Sequence, residues 1–283
     1  GKGEDLAKIE QQMQAGFLIK LMGRLGGDAD DSKELCILNR VLKWMPEGIR
    51  YEADPRHAEI LVKGLTDGLH SIGTPGVRLK PAAETDEALA EYEARLFRSS
   101  AARANYLGLD RPDVAFAAKE LCRRMGTPTR TDLEALRRLA KYLAGRPRVV
   151  YQFNWQEPGQ FDVYVDTDFA GCADTRRSTS GGCALHGNHL LKHWATTQKV
   201  VTLSSGEAEL AGVVKGVGEA LGLQSFARDL GIAMRIRVHA DSSVAISICR
   251  RSGIGRVRHL AVGQLWVQER LKVGDLALHK AAG

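Results

Sequence analysis

The periodicity of the apolar residues changes near residue 150, and this change limits the folds that the chain can adopt. From about Glu87 to Leu143 the apolar residues recur with the 3.6-residue period of helices, whereas VVYQFNW and QFDVYVDTD alternate with the two-residue period of strands. Two more strand patterns, a helix from Ser204, a strand, two helices and a last strand follow. This order predicts an α/β domain with a mixed sheet, preceded by a mainly helical region.

The region before this change contains several predicted elements. A helix opens the chain, the runs CILNRVLKWM and GIRYEA predict two strands separated by Pro46 and Gly48, and RHAEILVKGL predicts a helix. Three helices follow, and Thr131 or Asp132 is the predicted cap of the last one, TRTDLEALRRLAKYLAG. Four polar residues among these helices fit either a binding site or ordinary packing and capping: Asn105, Tyr106, Arg111 and Asp113.

The length, charge and cysteine content of the chain limit its domain number and the kinds of partner it can have. At 283 residues the chain can form two domains, which we expect at residues 1–148 and 155–283. The net charge of +6 and the isoelectric point near 9.1 favour an anionic partner, and the paired arginines fit either binding or solvated faces. The five scattered cysteines lack the C-x-x-C spacing of a zinc site. No apolar run approaches the roughly 18–20 residues of a membrane helix, so we expect no membrane partner.

The segment VYVDTDFAG ends a predicted strand with Asp166 and Asp168. Side chains alternate along a strand, so both carboxylates point to one face, opposite Val163 and Val165. Two neighbouring carboxylates repel each other and favour protonation unless a cation lies nearby. The pattern therefore fits either a strand with one solvated face or a cation site.

Two further acids lie at positions that complete such a cation site. Glu209 lies in SSGEAEL, where Ser204 and Glu207 form a predicted capping box, which leaves Glu209 beside the apolar face of a helix start. Asp241 ends the strand MRIRVHA and fits either an N-cap or a ligand. A right-handed crossover through the helix would bring this strand parallel to the one that ends in Asp166. Three converging carboxylates suit Mg²⁺, and two such ions can drive hydrolysis of a phosphodiester.

The blocks VYVDTDFAGCADTRRSTSGG, HWATTQKVVTLSSGEAEL and HADSSVAI, with their spacing, resemble the ribonuclease H domain of copia-type retrotransposon polyproteins. The segments YEADPRHAEILVKGL and LFRSSAARANYLGLDRPDVAFAAKEL resemble the C-terminal part of the reverse transcriptase that precedes it. The resemblance covers nearly the whole chain. It implies a ribonuclease H-like mixed five-stranded sheet with flanking helices, after a mainly helical remnant of the reverse-transcriptase palm and thumb.

The resemblance also implies an endonuclease that cleaves the RNA strand of an RNA–DNA hybrid with two Mg²⁺ ions, for which Mn²⁺ can substitute. By position, Asp166, Glu209 and Asp241 are the implied catalytic metal ligands, and Asp168 is a neighbour that tunes the site. His259 is an implied catalytic residue for product release or proton handling, or else a partly buried helix residue. Seven residues are implied as contacts of nucleic-acid phosphates: Arg176, Arg177, Ser178, Thr179, Gln198, Lys199 and Ser205.

The implied partners are the RNA–DNA hybrid and the upstream reverse-transcriptase palm of the same polyprotein. The implied location is intracellular, in a cytoplasmic particle or the nucleus. No Tyr-x-Asp-Asp hairpin of a polymerase occurs, because the only candidate acids, Asp28, Asp30 and Asp31, lie in a polar loop. We therefore expect a fragment or a decayed copy without a polymerase active site.

One position departs from the family pattern in a way that bears on activity. Ala261 follows the His-Leu pair of RVRHLAVGQLW, where the family has its fourth acid, and alanine cannot ligate a metal. Three hypotheses follow: a hybrid nuclease with a weakened site, a non-catalytic nucleic-acid-binding remnant, and an element fossil without a selected role. The three retained acids favour the first hypothesis, and Ala261 favours the second.

Overall fold

A computed structural model of the chain describes residues 3–66, 70–77, 86–255 and 262–281. The elements up to residue 154 are α1 (Gly3–Gly16), β1 (Glu34–Ile37), β2 (Arg40–Met45), β3 (Gly48–Glu52), α2 (Arg56–Leu65), α3 (Glu91–Leu107), α4 (Pro112–Arg123), α5 (Arg130–Gly145) and β4 (Val150–Asn154). Those after it are β5 (Gln160–Asp168), β6 (Thr179–His186), β7 (His189–Thr197), α6 (Ser205–Asp229), β8 (Arg235–Ala240), α7 (Ser243–Arg250), a 3-10 turn (Val262–Gln264), α8 (Trp266–Lys272) and β9 (Ala277–Lys280). Within these ranges, no helix is long and apolar enough to cross a membrane.

The N-terminal half differs from the sequence prediction in two local features. The run CILNRVLKWM forms two strands, β1 and β2, joined by Leu38 and Asn39, which both have positive φ angles of 50° and 62°. Leucine is uncommon in this conformation, so the sequence carries no turn signal there. The cap of α5 is Thr129, which with Asp132 forms a capping box, so the predicted cap at Thr131 or Asp132 is wrong.

A buried arginine explains the polar residues between α3 and α5. Arg111 is 1% exposed, and its guanidinium donates to both carboxylate oxygens of Asp113 at 2.9 and 2.7 Å. It also donates to the carbonyl of Arg146 at 3.0 Å, and the Tyr142 hydroxyl donates to Asp113. These contacts hold the start of α4 against the end of α5. Packing, rather than a binding site, therefore accounts for Arg111 and Asp113.

Strand β4 lies between the two proposed domains and pairs with β3, so it completes the sheet of the N-terminal half. That sheet is antiparallel, in the order β1-β2-β3-β4. Tyr51 on β3 faces Tyr151 on β4. Both hydroxyls donate to Asp110, Tyr51 to the carboxylate at 2.6 Å and Tyr151 to the carbonyl at 2.7 Å. The loop before α4 is therefore fastened to this sheet.

The second sheet has the order β7-β6-β5-β8-β9, with β5 antiparallel to β6 and parallel to β8. Strand β9 runs parallel to β8. Helix α6 covers one face of this sheet, and Val163, Val213 and Val238 are fully buried between them. The predicted mixed five-stranded sheet with flanking helices is confirmed.

Candidate metal centre

The register of β5 and β8 brings two predicted acids to one edge of the sheet. Val165 faces Ala240 across this parallel pair; Asp166 is the next residue of β5, and Asp241 is the first residue after β8. The parallel arrangement predicted from the crossover is therefore confirmed. After Asp241 the chain turns into α7, whose N-cap is Ser242; its hydroxyl accepts from the Ala245 N–H at 3.2 Å. Asp241 is thereby released from the capping task.

The third acid is carried by the first turn of α6. Ser204 is the N-cap, as predicted, and its hydroxyl accepts from the Glu207 N–H at 3.2 Å. The Glu207 carboxylate in turn accepts from the Leu203 N–H at 2.8 Å, which fixes the chain before the helix. Glu209 is free of this local task and lies toward the sheet.

Close packing of α6 on β5 brings Glu209 near Asp166. A Cβ atom on Gly212 would lie 2.5 Å from Thr167 Oγ1, and one on Gly216 would overlap the Val165 side chain. Larger residues at these two positions would force the helix away from the strand. The absence of a side chain therefore sets the distance between the helix that carries Glu209 and the strand that carries Asp166.

The three carboxylates form one cluster. One carboxylate oxygen from each of the three acids, Asp166, Glu209 and Asp241, lies within 4.8 Å of the other two. Within the described ranges, this is the group of potential metal ligands that meets this distance. Asp166 and Asp241 are exposed, whereas Glu209 is half-buried. Burial first, and then the charges of Asp241 and Asp166, raise the pKa of Glu209 to about 7.

The cluster leaves one buried carboxylate oxygen without a partner in the described part of the chain. Glu209 Oε2 is buried and has no hydrogen-bond partner among the described residues. Three carboxylates with an unpaired buried oxygen match the oxygen-only ligand sets that hard divalent cations prefer. The residues present therefore fit a bound divalent ion.

Comparisons with known proteins find relatives in the polyproteins of transposons. No protein-family model matches it. It is 29% identical over 183 residues to the retrovirus-related Pol polyprotein from transposon RE1 of Arabidopsis thaliana, which covers 64% of this chain and 12% of that polyprotein. It is likewise 29% identical over 172 residues to the one from transposon TNT 1-94 of Nicotiana tabacum, covering 60% of this chain and 13% of the other. Its homologues are the retrovirus-related Pol polyproteins of copia-type transposons. The chain spans about an eighth of the length of these relatives.

Two solved structures align with most or part of this chain. A foamy viral protease-reverse transcriptase in complex with double-stranded DNA aligns over 90% of this chain and 39% of its own, with a TM-score of 0.49 and 11% identity. LC11-RNase H1 in complex with an RNA/DNA hybrid aligns over 43% of this chain and 85% of its own, with a TM-score of 0.31 and 13% identity.

Four of the seven predicted phosphate contacts of this chain are exposed. Arg176 and Arg177 lie in the loop between β5 and β6, and Lys199 and Ser205 lie on either side of the α6 N-cap. Arg176 has a φ angle of 55°, in the left-handed region. These side chains are accessible to a ligand, and their role stays a prediction.

The other three are buried and bonded within the protein. The Ser178 and Thr202 hydroxyls lie 3.2 Å apart, and Thr179 accepts from Lys119 Nζ at 2.9 Å. Gln198 is 9% exposed, and its side-chain amide donates hydrogen bonds to Ser180 Oγ and to the Ala208 carbonyl. In this conformation these three side chains hold the loops around the cluster rather than presenting polar atoms to solvent.

Asp168 does not join the carboxylate cluster. It follows Asp166 on the same face of β5, but a Cβ on Gly171 would overlap its carboxylate, so it lies against the loop that begins there. His259 and Ala261 fall within residues 256–261, outside the described residues. The predictions made for them remain untested. Glu269 lies on α8 and is absent from the cluster.

Sequence reasoning missed the contacts between the two halves of the chain. Arg124, the C-cap of α4, pairs with Asp174 of the β5–β6 loop at 2.8 Å, and Arg123 donates to Cys172 Sγ at 2.5 Å. Burial opposes ionisation of this thiol, but hydrogen bonds from Thr175 and Arg123 outweigh it and lower its pKa to about 7. Partners some 50 residues apart leave no local pattern in a single sequence. These contacts hold the loop that carries Arg176 and Arg177 against the N-terminal half.

A second missed feature is a buried ion pair on the face of β5 that carries Asp166. Asp162 is 8% exposed and accepts from Arg237 Nε and Nη2 at 2.7 and 2.8 Å. His239 Nε2 lies 2.7 Å from the same carboxylate. Burial opposes ionisation of Asp162, but these hydrogen bonds outweigh it and lower its pKa. The alternation that places Asp162, Tyr164 and Asp166 on one face was the available signal.

Proposed function

We propose that the C-terminal half of this chain is a divalent-metal-dependent ribonuclease that hydrolyses the RNA strand of an RNA–DNA hybrid. The observation that carries the proposal is the cluster of Asp166, Glu209 and Asp241, with its buried and unpaired oxygen on Glu209. Similarity to retrovirus-related Pol polyproteins of transposons supports it. The resemblance of the three motif blocks to a ribonuclease H domain supplies the substrate class.

Each carboxylate has a distinct part in this proposal. Asp166 and Asp241 project from adjacent strand ends and supply exposed oxygens, and Glu209 closes the cluster from the helix side. When bound, Mg²⁺ or Mn²⁺ supplies a Lewis acid for the phosphoryl oxygens and lowers the pKa of a water nucleophile. Glu209 must lose its proton to take part. Its pKa of about 7 therefore makes the site weaker in mild acid.

Ala261 predicts a low rate. A site with three carboxylates has less negative charge to hold two cations than a site with four. Perturbing groups that surround metal ligands costs about 10–100-fold in affinity or activity, so loss of a ligand should cost no less. Ala261→Asp is expected to restore the missing acid and to raise the rate.

Cleavage of a labelled RNA–DNA hybrid tests the proposal. The parent chain, Asp166→Asn and Ala261→Asp are incubated with the hybrid in Mg²⁺ and in Mn²⁺ at pH 8. Weak cutting of the RNA strand is expected from the parent, none from Asp166→Asn, and at least tenfold faster cutting from Ala261→Asp. The proposal fails if neither the parent nor Ala261→Asp cuts the hybrid in either metal.

A second function is favoured by two features of the sequence. Ala261 and the net charge of +6 suit a nucleic-acid-binding remnant that no longer cleaves. In that case the parent chain would bind the hybrid with an affinity that falls steeply with salt, because phosphate contacts release counterions. Binding of this kind without cutting, in the parent and in Ala261→Asp, would favour the remnant.

A further inference from the structure

The side chain of Gln198 joins the helix of Glu209 to the sheet. Its amide nitrogen Nε2 donates to the carbonyl of Ala208, the residue before Glu209, at 2.9 Å. The same nitrogen donates to Ser180 Oγ on β6, also at 2.9 Å. One amide group therefore bridges the first turn of α6 and strand β6.

The strand end of this bridge lies next to the other carboxylates. Ser180 faces Thr167 across the β5–β6 pair, and Thr167 is the residue after Asp166. A Cβ on Gly212 would have Thr167 Oγ1, Ser180 Oγ and the Asp166 carbonyl as its three nearest atoms. The helix, the bridge and the strand that bears Asp166 thus meet within one small region.

The bridge is built into the interior at a cost. Gln198 is 9% exposed, and its backbone N–H donates to the Ser178 carbonyl at 2.8 Å, which fixes the backbone at this position. Its Oε1 is buried and has no partner among the described residues. An unpaired buried acceptor opposes folding, and an apolar side chain of the same size would avoid that cost. The two hydrogen bonds from Nε2 are what a glutamine adds here.

The position of the Glu209 carboxylate depends on its backbone rather than on a hydrogen bond to its own buried oxygen. Glu209 Oε2 has no hydrogen-bond partner in the described part of the chain. Its location relative to Asp166 and Asp241 therefore follows from where the first turn of α6 lies. Gln198 is attached to that turn at the adjacent carbonyl.

We propose that Gln198 is a positioning residue for the metal centre, which fixes the first turn of α6, and with it the Glu209 carboxylate, beside Asp166 and Asp241. This inference rests on the proposed function, which makes the cluster a metal site. It changes the role implied for Gln198 from a phosphate contact to a support that acts through the Ala208 carbonyl. Supports of this kind behind metal ligands typically change affinity about 10–100-fold when removed.

The test is Mn²⁺ binding to the protein alone, followed by loss of the free-ion signal in electron paramagnetic resonance at pH 8. Gln198→Met keeps the volume of the side chain and removes both donated hydrogen bonds. Gln224→Met is the matched control, because Gln224 Nε2 donates from the far end of α6 to the Met234 carbonyl at 2.8 Å. Asp166→Asn identifies the ions bound at the cluster.

Gln198→Met is expected to raise the dissociation constant for the cluster at least tenfold, with circular dichroism and melting temperature close to those of Gln224→Met. Gln224→Met is expected to bind Mn²⁺ like the parent. Should Gln198→Met fail to fold, Ser180→Ala removes only the strand end of the bridge and is expected to weaken binding about threefold.

The possible results separate this inference from the proposed function. If a folded Gln198→Met, or Ser180→Ala in its place, binds Mn²⁺ as tightly as the parent, the positioning role is overturned while the metal site stands. If the parent shows no Mn²⁺ binding, or only binding that persists in Asp166→Asn, both proposals are overturned. If the parent binds Mn²⁺ but no variant cuts a hybrid, the nuclease proposal alone fails.

Discussion

Asp166 and Asp241 extend two neighbouring parallel strands, each one residue beyond the facing pair Val165 and Ala240. Their closeness is therefore a consequence of strand register and needs no contact between the two side chains. Helix α6, which packs on one face of the sheet, contributes Glu209, so three residues spread over 76 positions of the chain form one cluster. The functional proposals rest on this convergence.

Removing one of the strand carboxylates should weaken cation binding without unfolding the chain. Asp241→Asn keeps the size of the side chain but removes a charge, and we expect at least tenfold weaker Mn²⁺ binding by isothermal titration calorimetry. Asp229→Asn, an exposed change at the far end of α6, is the control and should leave binding unchanged. Equal affinities for the two variants would contradict a role of Asp241 in the site.

Glu209 should make the metal-free protein less stable as the pH rises. Its pKa is raised to about 7, so between roughly pH 4.5 and 7 the folded state binds more protons than the unfolded state. Stability is therefore lost as the pH rises through this range. Glu209→Gln should be more stable than the parent at pH 8 by about 1 kcal/mol, a value reduced for solvent screening of a half-exposed group.

Melting temperatures in the presence of a chelator measure this effect. We expect Glu209→Gln to melt about 2–4 °C above the parent at pH 8, and at the same temperature as the parent near pH 4. Glu219→Gln supplies a control of opposite sign. Burial opposes ionisation of Glu219, but the hydrogen bond from Lys192 outweighs it and lowers its pKa, so its loss should not stabilise the protein at pH 8. A parent that is as stable as Glu209→Gln at pH 8 would argue against crowding of the three carboxylates.

The main elements of the site were predictable because each has a local signature. Ser204 is a capping residue that fixes the start of α6, and alternation along β5 fixes the direction of Asp166. The right-handed crossover then specifies that β8 lies parallel to β5. These rules bring Asp166, Glu209 and Asp241 together without any knowledge of packing.

Other features depend on contacts that a single sequence does not reveal. The pairing of β4 with β3 joins strands about 100 residues apart, and the turn at Leu38 and Asn39 lacks the glycine that usually marks it. Gln198 was expected to contact phosphates, but its amide is buried because Ala208 and Ser180 come within 2.9 Å of it. Burial of a polar side chain is decided by its distant neighbours.

Loss of Arg111 should destabilise the N-terminal half. Arg111→Met removes the hydrogen bonds of a buried guanidinium to Asp113 and to the Arg146 carbonyl. Because Asp113 is exposed and keeps the hydrogen bond from Tyr142, we expect a loss of about 1–3 kcal/mol. Arg111→Lys should recover little of this loss, because an ammonium cannot reproduce the two parallel hydrogen bonds. Urea denaturation followed by circular dichroism measures both variants. A loss below about 1 kcal/mol for Arg111→Met would contradict the structural role of this pair.

The exposed arginines of the β5–β6 loop should contribute to the salt dependence of hybrid binding. Arg176→Asn suits the positive φ angle at this position, and with Arg177→Gln it removes two positive charges. Each lost phosphate contact should reduce the slope of log affinity against log salt by about 0.7–0.9, the range for single strands and duplex DNA. Fluorescence anisotropy with a labelled hybrid at several salt concentrations measures the slope. Substitution of the buried Ser178 by alanine should leave the slope unchanged, and a double variant with the parent slope would remove these arginines from the interface.

The most direct test of the central claim is the location of bound Mn²⁺ by anomalous X-ray scattering from crystals of the protein grown in MnCl₂. The account predicts an anomalous peak between residues 166, 209 and 241, with carboxylate oxygens of all three directed at it. A peak bound elsewhere, or carboxylates of these three residues that point to separate regions of solvent around an empty centre, would contradict it.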